Sequence, residues 1–484
     1  MTITLANLDS FGDVAAEDDA VLDYFLYTDA VENIQSNHAF LVLGRKGSGK
    51  TAIVRHFTEG KDNIRSKSLS LRGYPWNIHS KWIDLGASEM ESYVSSWRYL
   101  IALEIATLVA ADSKRPQHDK VIELKQFLTD NYGGANPELQ TILSPRKLKL
   151  NKLSLQPSIL GNQLGCIDIE RSAGESNLGL ELNALSEAIL ANCRAIISNE
   201  SLGPYVLHFD ELDQGLSQLD DTRSRLLIGL ILAARNLRIE SLRKKNITIN
   251  PVIYLRTDLW DDLEFSDKNK ISQTQTLRLE WTTESLLELI NIRLKAKLSP
   301  STTWQDIIDR DLMRGSQAKF DHIISRTFLR PRDVIQFLNA ALKIAKKRND
   351  EPLIFTNRDI VNSRDFYSSY LKKELDDEVL PHWQKWEQAL KACSAISTIT
   401  FDRADFEREY AVRKTVDNNA DTDDALEMLY NFSIIGYSTR SGYGGSSWTF
   451  QYTDPQAGWD NAATRFKVHL GLKEYAKLRE ERRS

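Results

Sequence analysis

Eight residues constrain this chain more than any others. Gly44-Arg45-Lys46-Gly47-Ser48-Gly49-Lys50-Thr51 satisfies the pattern G-x-x-x-x-G-K-[ST] at every fixed position. The flanks agree with it: Ala39-Phe40-Leu41-Val42-Leu43 is an apolar run suited to a buried parallel strand, and Thr51-Ala52-Ile53-Val54-Arg55 continues as a helix. A triphosphate must be wrapped at close range by backbone N–H groups, and glycines let the chain do this without side-chain clashes. A helix opening near Gly49 adds free N–H groups and the positive end of its dipole. Lys50 is placed to reach the β- and γ-phosphates, and the Thr51 hydroxyl to ligate magnesium. The candidate nucleotide-binding set is Gly44, Arg45, Lys46, Gly47, Ser48, Gly49, Lys50, Thr51 and Ala52. A chance glycine-rich loop is the plain alternative, and the strand before and helix after count against it.

At 484 residues the chain exceeds what one compact core organises, so two or three domains are expected. A net charge of −5 provides no global field for nucleic acid or an acidic membrane. Cys166, Cys193 and Cys393 lie far apart, form no metal spacing, and in their odd number suit a reducing cytoplasm. Met1 to Asp13 lacks the basic-then-apolar order of a secretory signal. The most apolar segments, Tyr99–Ala111 and Leu226–Ala234, read as too short to span a bilayer. A cytoplasmic protein with no membrane partner is the expectation.

Along the chain, residues 15–35 read as a helical approach, with Val21, Leu22, Phe25, Leu26 and Val31 near helical spacing. Ser66 to Leu71 alternates as a strand, and Glu91 to Ala111 reads as a core helix. The segment 112–199 inserts many residues before the next strand. Within it, alternation changes phase near Asn151-Lys152, and Gly161-Asn162-Gln163 is placed to turn the run back along Cys166–Glu170 as a β-hairpin. The basic residues Arg146, Lys147, Lys149 and Lys152 fit a solvated strand face better than a phosphate contact.

Tyr205-Val206-Leu207-His208-Phe209-Asp210-Glu211 is an apolar strand ending in two adjacent carboxylates. Asp210 is placed to hold magnesium through a bound water, and Glu211 to orient and polarise an attacking water. His208 reads as strand packing or a local hydrogen-bonding partner. Val252-Ile253-Tyr254-Leu255 then runs into Arg256-Thr257-Asp258, where either Arg256 or Thr257 would sense a γ-phosphate, strand alternation putting them on opposite faces. Leu277-Arg278-Leu279 reads as a last core strand before Trp281 and a helix opening at Thr282-Thr283-Glu284. In Leu329-Arg330-Pro331-Arg332-Asp333, Pro331 suits the first helical position and Asp333 the first turn. Arg330 and Arg332, at the mouth of this helix, are candidates for a γ-phosphate contact, solvated helix-start arginines being the plain alternative.

From Phe366 onward, helices precede a β-hairpin around Gly442-Tyr443-Gly444-Gly445, the arrangement of a winged helix, and Lys473 to Arg483 reads as a charged helix. This module carries 16 Lys and Arg against 19 Asp and Glu, a net 16 − 19 = −3. A reader of duplex DNA carries a basic face, so the charge favours a protein partner.

The segments GRKGSGKTAI, HFDELD, YLRTDLWDD, LRLEW and LRPRDVIQF together resemble a bacterial P-loop ATPase group. That group lies near the signal-transduction ATPases with numerous domains (STAND) and the origin-recognition branch of the AAA+ proteins. The resemblance covers most of residues 15–345. It implies an α/β P-loop fold with the phosphate-loop strand beside the sensor strand, then a helical lid and a C-terminal winged-helix-like domain. The corresponding boundaries are an N-terminal helical approach at 1–36, an ATPase core at 37–298 with the insertion at about 112–199, a lid at 299–365 and the winged-helix-like domain at 366–484. Carried over, the cofactors are ATP and Mg2+, with Lys50 and Thr51 holding phosphate and metal, Asp210 the metal and Glu211 the water. Arg256 corresponds to the STAND sensor arginine and Arg332 to the lid arginine. Members of such groups often occur in phage-defence systems with partner effectors. The nucleotide motifs together with the non-basic C-terminal module favour an ATP-driven switch controlling self-assembly or an effector protein; the alternatives are a DNA-acting loader or remodeller and a scaffold that holds ATP with little turnover.

Overall fold

The computed structural model describes residues 4–60, 65–72, 76, 79, 88–112, 119–142, 147–150, 156–159, 162–168, 178–197, 204–212, 220–243, 249–348, 350–414, 421–440 and 446–480. The chain divides into two compact units. One joins Met1–Leu26, Lys46–Gly49 and Glu280–Ser484; the other joins Tyr27–Arg45 and Lys50–Leu279.

The strands of the Tyr27–Leu279 unit are, in chain order, β1 (Leu41–Leu43), β2 (Ser66–Ser70), β3 (Lys147–Lys149), β4 (Ser158–Ile159), β5 (Asn162–Gln163), β6 (Cys166–Asp168), β7 (Tyr205–Asp210), β8 (Ile249–Leu255) and β9 (Thr276–Arg278). Five of them form one sheet in the order β2-β7-β8-β1-β9, and every pairing is parallel. The phosphate-loop strand β1 therefore sits beside β8, and β8 separates it from β7. This is the expected P-loop α/β sheet with an additional strand. Every residue of β7 and β8 is buried, which is why both read as continuous apolar runs and not as alternation.

The helix Glu89–Ala111 starts on a capping box in which Ser88 and Glu91 exchange hydrogen bonds. It packs against the helices Leu178–Ile197 and Asp221–Arg243, and the Trp97 indole N–H donates to the Leu226 carbonyl at 2.9 Å. The segment read as too short to span a bilayer belongs to this 23-residue helix, which is long and apolar enough to do so. Its most apolar window is 83% buried inside the unit, so the apolar surface is accounted for by core packing. The insertion contains the expected antiparallel return: β3 pairs with β6, and β4 with β5 at its tip. The phase shift at Asn151-Lys152 falls outside the described residues. Residues 15–35 are not one helix, but a 3-10 turn at Val21–Tyr24 and a helix at Asp29–Gln35.

The other unit is mainly helical from Thr283 to Asn431. The helix Thr283–Lys297 begins on the Thr282 cap, and Pro331–Ala345 begins with its proline in the first turn. The latter buries Val334, Phe337, Leu338, Ala341 and Leu342, as its spacing predicts. The C-terminal strands are β10 (Thr400–Asp402), β11 (Ile435–Arg440), β12 (Ser446–Thr449) and β13 (Arg465–Val468). They form an antiparallel sheet in the order β10-β13-β11-β12, with β11 and β12 as the expected hairpin. The glycine-rich turn at 442–445 falls outside the described residues. Lys473 onward is not the charged helix expected: Lys477 adopts φ +55, and Arg479 bridges back to Ser397 and Ile399 through backbone hydrogen bonds. The backbone bonds to Ser397 and Ile399 replace the i→i−4 ladder there.

Gly229 tests the helix packing of the Tyr27–Leu279 unit. Alanine is the better helix former by about 1 kcal/mol, but a Cβ at Gly229 would lie 2.9 Å from Tyr93 Cβ and 3.3 Å from its backbone carbon. Neither atom is a flexible side-chain end, and overpacking costs about 1–3 kcal/mol. Gly229→Ala is therefore expected to destabilise the protein, by about 1 kcal/mol net, measured by urea denaturation. A stabilised variant would contradict this packing.

Candidate functional site

The phosphate loop changes unit along its length. Gly44, Arg45 and Lys50 onward belong to the Tyr27–Leu279 unit, and Lys46–Gly49 to the other. In the Tyr27–Leu279 unit, the Gly44 N–H donates to the Leu255 carbonyl at 3.2 Å, tying the loop's start to the end of β8. Lys50 opens the helix Lys50–Glu59, which also contains Thr51 and Ala52. Its ammonium donates to the Gly44 carbonyl at 2.7 Å and the Arg45 carbonyl at 3.2 Å.

The end of β7 brings Asp210 to the same place. Burial pushes its carboxyl up to about 6, against the opposing pull of the Glu211 backbone N–H, the Lys50 charge and a hydrogen bond from the Thr51 hydroxyl. Asp210 is 6% exposed. Glu211 takes φ +58, a left-handed conformation uncommon outside glycine, asparagine and aspartate. Its carboxylate accepts from the Ser70 hydroxyl and pairs with Arg72 at 3.4 Å. The next strand supplies Arg256, whose guanidinium is held by Asp258 at 3.0 and 2.5 Å. Thr257 is not on β8 but is the first residue of the helix Thr257–Asp262, with Arg256 as its cap, so strand alternation does not separate the two. His208 is fully buried, hydrogen-bonded to the Tyr254 hydroxyl at 2.9 Å, and burial pushes its pKa down to about 3. It is the packing residue expected.

In the other unit, Lys46–Gly49 is gripped by three side chains or backbone groups that follow it by more than two hundred residues. Arg330 donates to the Lys46 carbonyl at 3.0 Å. The Arg332 backbone N–H donates to the Gly47 carbonyl at 3.4 Å, and the Trp281 indole N–H to the Ser48 carbonyl at 2.9 Å. Gly47 and Gly49 have φ of +79 and +100, and a Cβ on Gly47 would lie 2.8 Å from Arg332 Cβ. Both glycines are required by backbone conformation, and Gly47 by close approach as well.

Of the two arginines at the lid mouth, Arg330 is buried and Arg332 is partly exposed, and both are paired with carboxylates. Arg330 is 2% exposed and is bound by Asp333 at 2.9 Å and Glu378 at 2.6 Å. Burial works against its charge, and the two carboxylates more than offset it, so the guanidinium is held protonated. Arg332 donates to the Val14 carbonyl and to Glu374, both at 3.1 Å. Lys46 completes the cluster with Asp377 at 3.0 Å and Glu374 at 3.4 Å. Trp281 was legible only as part of the LRLEW junction. Glu374, Asp377 and Glu378 carry no motif, because their roles depend on where the helix Arg364–Val379 lies.

This donor set fits a phosphate-bound divalent cation. Magnesium takes one or two carboxylates, waters and substrate phosphates in preference to an all-protein cage. Asp210 beside the Thr51 hydroxyl is such a partial shell, and no group of three or more His, Cys, Asp or Glu suited to a metal occurs among the described residues.

Residues 284–376 match the family described as the FunZ-associated C-terminal helical domain. The chain is 26% identical over 368 residues to the "Putative transposon gamma-delta 80.3 kDa protein" of Escherichia coli (strain K12), covering 72% of this chain and 48% of that one. It thus spans about half the length of that curated relative. Solved structures that resemble it include the Aeropyrum pernix ORC1 protein in complex with DNA, at TM-score 0.37 and 11% identity over 98% of this chain and 95% of that one. CDC6P from Pyrobaculum aerophilum aligns at TM-score 0.28 and 14% identity, over 92% and 89%. Likenesses this distant carry no argument about the site.

Two stability outcomes follow from the geometry. A carboxyl whose folded pKa lies above its unfolded value subtracts stability where it is ionised in both states, and nothing well below both values. In nucleotide- and metal-free protein, Asp210→Asn is expected to gain about 2–3 kcal/mol at pH 7.5 and little at pH 4; urea denaturation at both pH values measures it. Arg330→Gln removes the partner of two buried carboxylates and is expected to cost about 3–5 kcal/mol. A loss below 1 kcal/mol, roughly that of an exposed pair, would contradict this environment.

Proposed function

We propose that the chain is a magnesium-dependent P-loop ATPase, converting ATP and water to ADP and phosphate, whose nucleotide state acts as a conformational switch. The observation that carries this reading is the joining of Lys50, Thr51 and Asp210 at the phosphate loop with Glu211 at the next backbone position. Lys50, whose ammonium donates to the Gly44 and Arg45 carbonyls of its own loop, would turn donors of its ammonium to the phosphate oxygens. Thr51 and Asp210 would hold magnesium, which supplies charge neutralisation at the phosphates when bound. Glu211, with Ser70 and Arg72 fixing its carboxylate, would accept a proton from the attacking water. Arg256 as sensor and Arg332 as lid arginine would each exchange a carboxylate partner, Asp258 or Glu374, for the γ-phosphate. The switch would control self-association or an effector protein, in the cytoplasm and in a phage-defence setting; the first two parts rest on the residues, the last on resemblance alone.

A DNA-acting loader or remodeller using the winged-helix-like C-terminal domain is the second reading. The transposon-associated name of the curated relative favours it, while the module's net charge of −3 does not.

The deciding experiment is ATP hydrolysis by wild type, Lys50→Ala and Glu211→Gln, each with and without duplex DNA, with light scattering on the same samples. Glu211→Gln is expected to lower turnover about a hundredfold or more while retaining ATP, and Lys50→Ala to lose both. Size that tracks nucleotide without a DNA effect supports the switch. Strong DNA stimulation transfers support to the remodeller, and unchanged hydrolysis in both variants would refute the ATPase assignment.

A further inference from the structure

Buried arginines in this protein are generally matched to acids. Arg98 pairs with Glu240 at 2.7 Å, Arg235 with Asp267 at 2.6 Å, Arg293 with Asp19 at 3.0 Å, and Arg330 with Asp333 and Glu378. Arg238 is matched otherwise, donating to the Asn37 and His38 carbonyls at 2.8 and 2.9 Å. Arg326 departs from this pattern. It is 4% exposed, and its Nη1 donates only to the His322 carbonyl at 3.0 Å and the Ser325 hydroxyl at 3.2 Å. Its Nε meets no acceptor, and it forms no ion pair among the described residues.

More positive charge gathers around it. Arg364, first residue of the helix Arg364–Val379, places Nη2 2.5 Å from His322 Nε2. Its Nε has no acceptor, and Glu474 lies 3.9 Å from its Nη1. His322, 6% exposed, contacts the Gln317 side-chain oxygen through Nδ1 at 3.0 Å. The imidazole thus donates from Nδ1 and accepts at Nε2, and so is neutral. Burial, then Arg326 and Arg364, push its pKa down to about 3. Lys467 on β13 lies in the field of Arg326, and burial lowers its pKa too. Lys473 is engaged by Glu480 at 2.5 Å. Five cations, Arg314, Arg326, Arg364, Lys467 and Lys473, therefore surround two carboxylates, Glu474 and Glu480, one of which Lys473 already neutralises.

A buried cation without a partner costs several kcal/mol, and folded proteins satisfy such charges by pairing. We propose that Arg326, Arg364 and Lys467 form a binding site for a small phosphate, inorganic phosphate or a phosphomonoester, which supplies the missing countercharge. Guanidinium N–H groups match phosphate oxygens in geometry and charge. Arg364, its side chain 18% exposed, is the more accessible guanidinium, and Arg326, 4% exposed, is too deeply buried for a duplex backbone to reach. The site shares no residue with the phosphate loop and does not depend on the ATPase reading.

The test uses full-length Lys50→Ala protein, which disables phosphate binding at the loop. Isothermal titration with inorganic phosphate and with glycerol phosphate, at ionic strength fixed with chloride, is expected to show one site. The tighter ligand identifies the source, and either supports the proposal. Arg326→Gln and, separately, the half-buried Lys467→Met are each expected to weaken binding about ten- to a hundredfold. If Arg326→Gln does not fold, Lys467→Met decides. The proposal is overturned by absence of phosphate binding to the Lys50→Ala protein, by unchanged affinity in the folded variants, or by displacement of phosphate by a DNA duplex.

Discussion

Five consecutive carbonyls in the phosphate loop are each held by a donor, and the loop's chemistry depends on that. Lys50 takes the carbonyls of Gly44 and Arg45, Arg330 that of Lys46, the Arg332 backbone that of Gly47 and Trp281 that of Ser48. A peptide unit is planar and trans, so fixing a carbonyl on one side fixes the following N–H on the other. Holding the carbonyls of residues 44–48 therefore fixes the directions of the N–H groups that follow them, and an anion cradle depends on N–H groups held in place. The glycines permit this backbone; the donors select it. A glycine-rich loop without those donors would have the freedom but not the pre-organisation on which phosphate recognition depends.

That division explains what was legible in the sequence. The loop, its strand and Asp210-Glu211 could be read because their chemistry is local: glycine at fixed offsets, a buried strand, carboxylates at its end. The parallel sheet was legible for the same reason, since β7 and β8 are buried throughout and mostly apolar. Trp281, Glu374 and Glu378 act on the loop or its arginines from far along the chain, where no periodicity marks them. The C-terminal tail failed as a helix because propensity is a weak prior once an extended segment finds backbone partners, here Ser397 and Ile399. Residues 15–35 failed as one helix although their apolar spacing was nearly right. Val21 and Tyr24 are buried in one unit and Val31 and Ile34 in the other, so the chain breaks between them.

Two unfavourable features meet at the end of β7. Asp210 has a carboxyl that burial disfavours as an anion, and Glu211 a backbone conformation that favours glycine. Elsewhere, buried charge is mostly compensated by an opposite charge. A residue retained against its own local stability is the pattern expected where a cation or a reacting water is to be received. The Arg326 cluster shares that pattern at a second place, which is why it reads as a ligand site and not as an unusually costly core.

The loop's grip also bears on how nucleotide would be felt at a distance. Lys46 and Arg332 share Glu374, and Asp377 and Glu378 on the same helix hold Lys46 and Arg330. These carboxylates occupy the cations that an incoming phosphate would recruit. On the proposed reading, phosphate oxygens would compete with these carboxylates for Lys46 and Arg332, while Arg330, with two carboxylates of its own and 2% exposure, would stay as the fixed point. Linkage makes such competition reciprocal: a phosphate that loosens Glu374 from the loop is opposed, by the same free energy, by anything that tightens the helix Arg364–Val379 onto it. A partner acting on that helix would need no contact with the nucleotide to change its affinity.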